Sequence, residues 1–230
     1  MSDIRMDRSS PTTGEGGTSG TMALLVLVVA YGVLPLFLPE PSTITAAGMW
    51  KSDLGKWVVT TVMVLVVVAW EGRSPGSIGL RRPRLKEAGI GLAVGAGWLV
   101  LFWMVKTVLL EPAGLSVVGA TQRAFLSLAP LQRISIVLTA AVTEEIIFRG
   151  ILMQRVEELT GSSWLAVAAT VLLFVGGHGA HFGLVVNAFQ AVVTVVFALL
   201  YLWRRDLTSL VTLHAVIDGW ALLVVPALGL

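Results

Sequence analysis

The sequence predicts an all-α protein: a polytopic transmembrane helical bundle of about seven spans, with room for an eighth helix. Composition is the first reason. Of the 230 residues, 56% are hydrophobic and 13% charged, where a soluble domain carries roughly 25% charged residues. Patterning is the second. The apolar residues come in long blocks, several near the roughly 20 residues needed to cross a bilayer. The chain has no Cys, which excludes disulfides and thiolate chemistry. Its formal charge of +2 is too small to point to nucleic acid.

Residues 1–20 are polar, rich in Ser, Thr and Gly, and lack the apolar mass for a core, so a disordered tail is expected there. Residues 21–230 are expected to form one integral domain. The first span covers 21–38. Its length, Pro35 and the lack of a small-x-small cleavage site argue for a retained helix rather than a signal peptide. Pro39 and Pro41 end it. A loop carrying Lys51, Asp53 and Lys56 leads to the second span, 57–70, with a start at Leu54 left open and Trp57 and Trp70 as interfacial anchors. Residues 71–87 form a basic connector whose Ile78-Gly79-Leu80 step suits the membrane surface.

The third span is 88–110. Gly89, Gly91, Gly95 and Gly97 permit close helix contact, and Lys106 is placed to snorkel. A loop over 111–130 follows. The fourth helix, 131–159, carries the octet Thr143-Glu144-Glu145-Ile146-Ile147-Phe148-Arg149-Gly150 and runs past the membrane into Arg155, Glu157 and Glu158. Gly161 turns the chain. The fifth helix, 162–174, is expected to loosen through Gly176, Gly177 and Gly179; the sixth is 183–203 and the seventh 207–228. With the N-terminus inside, Lys51, Lys56, Arg123 and Arg133 fall outside, Lys106 lies in a span, and all other Lys and Arg fall inside. That asymmetry predicts a cytoplasmic N-terminus and an external C-terminus. The short loops suit a prokaryotic plasma membrane.

Charge within an apolar segment is expensive and normally faces a bundle interior or a water-filled cavity, so the octet is the candidate site. Glu144 lies 17 residues before Gly161 and His178 lies 17 after it; at about 1.5 Å per residue both stand roughly 25 Å above the turn. His214 lies about 14 Å up the seventh helix from Arg205, near the same plane, and Asp218 shares its face at i,i+4. Glu145 and Arg149 have the same spacing and can pair, leaving Glu144 about 100° away around the helix. Buried without a cation, Glu144 would then be poised as a general base. Structural alternatives stand beside these readings: a packing ion pair for Glu145–Arg149, an inter-helix hydrogen bond for His214–Asp218, and helix glue for Asn187 and Gln190. His181 is read as structural, or as a spare donor.

At these residues the chain resembles the CAAX protease and bacteriocin-processing family, which includes the type II CAAX prenyl endopeptidases. Glu144-Glu145-x-x-x-Arg149 resembles the family's EExxxR, Phe174-x-x-x-His178 its FxxxH, and His214-x-x-x-Asp218 its Hxxx(N/D). The resemblance covers about 132–221, taken as the catalytic core. It implies a metal-independent intramembrane glutamate endopeptidase with no cofactor, acting on a membrane-associated or prenylated peptide. Carried over, Glu144 with His178 activates water, His214 and Asp218 form the oxyanion site, and Glu145 with Arg149 supports the geometry. Asp218 departs from the asparagine form of the third motif: an ionised carboxylate cannot donate to an oxyanion, so it is either protonated or orients His214. Three other readings are weighed. A zinc protease lacks an HExxH helix, and a proton-coupled transporter lacks paired broken helices. A non-catalytic immunity or regulatory scaffold would need no chemistry.

Overall fold

The computed structural model describes residue 22 and residues 44–117, 120–179 and 184–228. The expected tail and the first span, 21–38, lie outside them but for Met22. Seven helices make up the described chain, with no strand among its residues: α1 (Ala46–Trp70), α2 (Leu85–Leu110), α3 (Ala120–Leu126), α4 (130–160), α5 (Ser163–Gly179), α6 (Leu184–Arg204) and α7 (Leu207–Ala227). Four of them, α1, α2, α6 and α7, are long and apolar enough to cross a membrane, and Ser163–Gly177 is a shorter apolar helix. The charges of the octet, with Arg133 and Arg155, keep α4 out of that set.

Several boundaries differ from expectation, for identifiable reasons. Helix α1 begins at Ala46, capped by the Thr45 side chain, which accepts from the Gly48 amide. Lys51, Asp53 and Lys56 are therefore helical rather than loop residues. Their charge resembles a loop in sequence, but α4 supplies partners for it. Gln132 Nε2 donates to the Ala46 carbonyl (2.5 Å), Ser135 Oγ to Asp53 Oδ2 (2.6 Å), Trp57 Nε1 to Thr139 Oγ1 (3.1 Å), and Lys56 Nζ to Glu144 Oε1 (2.6 Å). These bonds zip α1 alongside α4 in parallel. The 111–130 loop contains α3, and α5 stays helical through Gly176 and Gly177 to Gly179.

The 71–87 connector packs into the bundle at its Ile78-Gly79 step. Its 3-10 turn, Pro75–Ile78, buries Ile78 completely. A Cβ on Gly150 would stand 2.8 Å from the Ile78 carbonyl oxygen, so glycine after Arg149 lets this turn seat on α4. Gly79 adopts φ 75°, a left-handed conformation natural to glycine, and its carbonyl accepts from the Leu207 amide at 2.9 Å. Of the four α2 glycines, Gly91 and Gly95 fit against α7; added Cβ atoms would meet the Ser209 carbonyl at 2.1 Å and Val216 at 2.9 Å, whereas Gly89 and Gly97 face open space. Close helix contact through small residues is the expected membrane packing device. Lys106 pairs with Glu111 at 2.9 Å at the end of α2.

The helix ends around residues 71, 85, 158 and 205 gather at one end of the bundle, where ion pairs bind them. Arg73 meets Glu158, Arg155 meets Glu71 and Glu158, Arg204 meets Glu87, Arg84 meets Asp206, and Arg205 meets Glu157. Glu157 also accepts from Ser163 Oγ. The hydrogen bonds from Arg205, against an opposing effect of burial, hold the Glu157 carboxyl below its ordinary range. Buried apolar side chains form a large cluster around Ile151, Met153, Leu210 and Leu213 and a smaller one around Met49, Ile136 and Leu222.

Candidate active site

The α-helical part of α4 ends at Glu145, and residues Ile146–Met153 continue as a π-helix. Such stretches inside α-helices recur at functional sites. The whole segment from Thr143 to Met153 is buried, and Glu145 and Arg149 are 0% and 1% exposed. The expected pair forms: Arg149 Nη1 donates to Glu145 Oε1 at 3.1 Å. The guanidinium lies 5.2 Å from the Phe174 ring centroid and 4.9 Å from that of Phe197, so two cation–π contacts hold its faces. Phe174, the first residue of the second motif, thus serves Arg149 directly. It also meets Phe148 edge-on at 5.0 Å.

His214, on α7, reaches the same point. Its Nδ1 lies 2.7 Å from Glu145 Oε1 and its Nε2 lies 3.3 Å from Asp218 Oδ2. Both ring nitrogens face carboxylates, and Phe197 stacks edge-on against the imidazole at 5.4 Å. His214 stands level with the octet, as helix rise predicts, and touches Glu145. His178 falls on the last turn of α5. Its side chain and all of His181 lie outside the described residues, so the level placement of Glu144 and His178 is not seen side chain to side chain. Gly177, the preceding residue, lines the same cavity as Glu144.

One expectation is overturned. Glu144 is not left without a cation, because Lys56 Nζ approaches its Oε1 to 2.6 Å. Lys56 is expected in an external loop from its charge, and the extension of α1 brings it inward. An i,i+3 repeat of polar residues on α1, Asp53 to Lys56, was the signal that could have found it.

Glu144, Glu145, Lys56, Asp53, His214 and Asp218 all line a cavity of about 410 Å³ whose other walls are mostly apolar, among them Met63, Phe102, Phe174, Phe189, Val193 and Phe197. Residues of both apolar clusters border it. Several buried polar atoms have no partner among the described residues: Ser52 Oγ, Glu145 Oε2, Arg149 Nε, Gln190 Oε1 and Thr194 Oγ1. Gln190 and Thr194 line the cavity from α6. Among the described residues no three His, Cys, Asp or Glu side chains converge as a metal-holding group.

Fold and site together define an integral membrane protein of helical-bundle class, with an acid–imidazole cluster on a buried apolar cavity. Residues 126–220 match the family model described as type II CAAX prenyl endopeptidase Rce1-like. Over these residues the chain is similar to the CAAX protease family, and all three motifs fall within the match. Neither the curated proteins nor the solved structures give a match.

Proposed function

We propose that the chain is an intramembrane peptidase that hydrolyses a peptide bond in a membrane-associated or prenylated peptide, using water activated by Glu144 and His178 without a metal. One observation carries this reading: Glu144, Glu145 and His214 share one wall of an otherwise apolar cavity large enough for a peptide segment. Two carboxylates with different surroundings suit two tasks. Glu145 is fully buried and committed to Arg149 and His214. Glu144 faces the cavity and meets Lys56, contributed by another helix.

In the reaction Glu144 takes a proton from water as the water oxygen attacks the scissile carbonyl carbon. The carbonyl π pair moves onto its oxygen, and collapse of the adduct breaks the C–N bond while the stored proton passes to the leaving amine. His178 is the second proton-handling group on the water, by its place in the family's motif. Glu145 and Arg149 position His214 and the turn that bears Glu144. The apolar walls suit a lipid-modified or membrane-embedded substrate. The basic end of the bundle is read as cytoplasmic.

The test is cleavage of membrane-anchored and prenylated peptides by purified protein, comparing the wild type with Glu144→Gln, His178→Ala and His214→Ala. Wild-type activity that survives exhaustive chelation and is lost in Glu144→Gln is the expected result. Undiminished turnover in Glu144→Gln ends this reading. Wild-type protein that binds but never cleaves such peptides would favour a scaffold.

A further inference from the structure

An acyl-transfer site needs a donor aimed at the oxygen on which negative charge develops. The third motif does not provide one here. Asp218 replaces the amide-bearing asparagine with an acceptor. His214 is spent on two carboxylates, Nδ1 on Glu145 at 2.7 Å and Nε2 on Asp218 at 3.3 Å, so neither ring N–H points into open cavity. Two donors next to the acidic pair are held away from the cavity centre. Thr143 Oγ1 donates to the Thr139 carbonyl at 2.7 Å, and Arg149 is 1% exposed between two phenylalanine rings.

Lys56 is differently placed. It enters from α1, lines the cavity, and keeps part of its side chain open, at 23% exposure. An ammonium carries three donors, and Glu144 Oε1 takes one of them at 2.6 Å. We infer that Lys56 is the oxyanion donor of this site, supplying from α1 the hydrogen bond that Asp218 cannot give from α7; this rests on the peptidase reading above.

The geometry is self-consistent. A water bonded to Glu144 at about 2.8 Å lies next to the ammonium, because Nζ and Oε1 touch. The carbonyl oxygen of the carbon that this water attacks then falls about 2.7–3.1 Å from Nζ. As the C–O bond forms, Glu144 gains the water proton and loses its negative charge. The ammonium, released from that ion pair, is left facing the new oxyanion. One lysine thus serves a carboxylate before attack and an alkoxide after it, so its interaction strengthens where the barrier lies. Asp53 and Asp218, which also act electrostatically on Lys56, hold the cation in the cavity throughout.

The experiment compares kcat and KM for a membrane-anchored peptide in the wild type, Lys56→Met, Lys56→Gln and the double variant Lys56→Met with Asp218→Asn. Lys56→Met is expected to lower kcat by about 10²–10³-fold, the effect of removing an oxyanion donor, with KM within about threefold. The discriminating readout is rescue. Asp218→Asn restores an amide donor on α7 and is expected to recover at least about tenfold of the kcat lost in Lys56→Met. A lysine that merely held Glu144 in place would not be rescued from residue 218. If Lys56→Met fails to fold, Lys56→Gln keeps an N–H donor on a shorter, neutral side chain, and a kcat between about one-tenth and one-hundredth of wild type is expected. Undiminished kcat in the folded Lys56 variants, or a double variant no better than Lys56→Met, overturns the donor assignment alone. A wild type that cleaves no such peptide overturns both this assignment and the peptidase reading.

Discussion

Two sets of charged residues hold this bundle together, and they use different chemistry. At the basic end every carboxylate faces an arginine. Glu87 takes Arg204 Nε and Nη2 at 2.9 and 2.6 Å, Glu157 takes both Nη atoms of Arg205 at 2.7 and 2.9 Å, and Glu158 takes both of Arg73 at 3.0 and 2.5 Å. On the cavity wall Glu144 meets a lysine, Lys56, and Asp218 meets a histidine, His214. Arginine forks are rigid, bidentate and always charged; lysine and histidine offer single, rotatable or exchangeable protons. The end clasp is built to stay paired. The cavity set is built so that protons and partners can change. Glu145 stands at the border, with arginine on one side and imidazole on the other.

That contrast can be broken at both regions. The largest effect is expected at Glu144→Gln, which keeps shape and removes the base: turnover should fall at least about 10²-fold with the thermal unfolding midpoint little changed. Full activity would place Glu144 with the structural pairs. Next is Arg149→Ala. It leaves Glu145 buried against only His214, and breaking a buried pair costs about 3–5 kcal/mol. Low yield or a depressed unfolding midpoint in detergent is expected, and normal stability would sink the ion-pair account.

Arg155→Ala probes the other region with a comparable stability loss, since Arg155 is 1% exposed and bridges Glu71 and Glu158. Its kcat per folded molecule should match the wild type, because no substrate-facing group is lost. A selective fall in kcat would erase the distinction between the regions. A milder effect is expected from acid. The Glu157 carboxyl is held below its ordinary 4.5 by Arg205, so its stabilisation is full above about pH 4.5 and is lost as pH falls through the lower folded value. Stability measured against pH should therefore drop less in Arg205→Ala than in wild type below that point. The smallest effect is Thr194→Val. Its buried hydroxyl has no partner among the described residues, so an isosteric apolar replacement should be neutral or stabilising by up to about 1 kcal/mol. Marked destabilisation would mean the hydroxyl is satisfied within the protein.

Much of the core was legible without coordinates. Hydropathy blocks marked α2, α6 and α7 to within a few residues, and the i,i+4 rule paired Glu145 with Arg149 and His214 with Asp218, because both partners sit on one helix. Gly161 was read as the turn and has φ 67°. Polar residues with partners on a distant helix were misread. Asp53 and Lys56 resembled a loop because Ser135 and Glu144 lie more than 80 positions away. That Gln190 lines the cavity is likewise visible only in the packing.

The sequence by itself determined the all-α membrane class, the expensive octet and the three motifs in order. These are local properties: apolar length, helical period and residue type fix them before any helix meets another. Tertiary structure decided which cation meets which carboxylate, that both nitrogens of His214 are engaged, and that Lys56 shares a cavity with Glu144. Those outcomes depend on the rotation and depth of α1, α4 and α7 relative to one another. The close fit of Gly91 and Gly95 against α7, and the polar bonds between α1 and α4, set that registry, and no single helix encodes it.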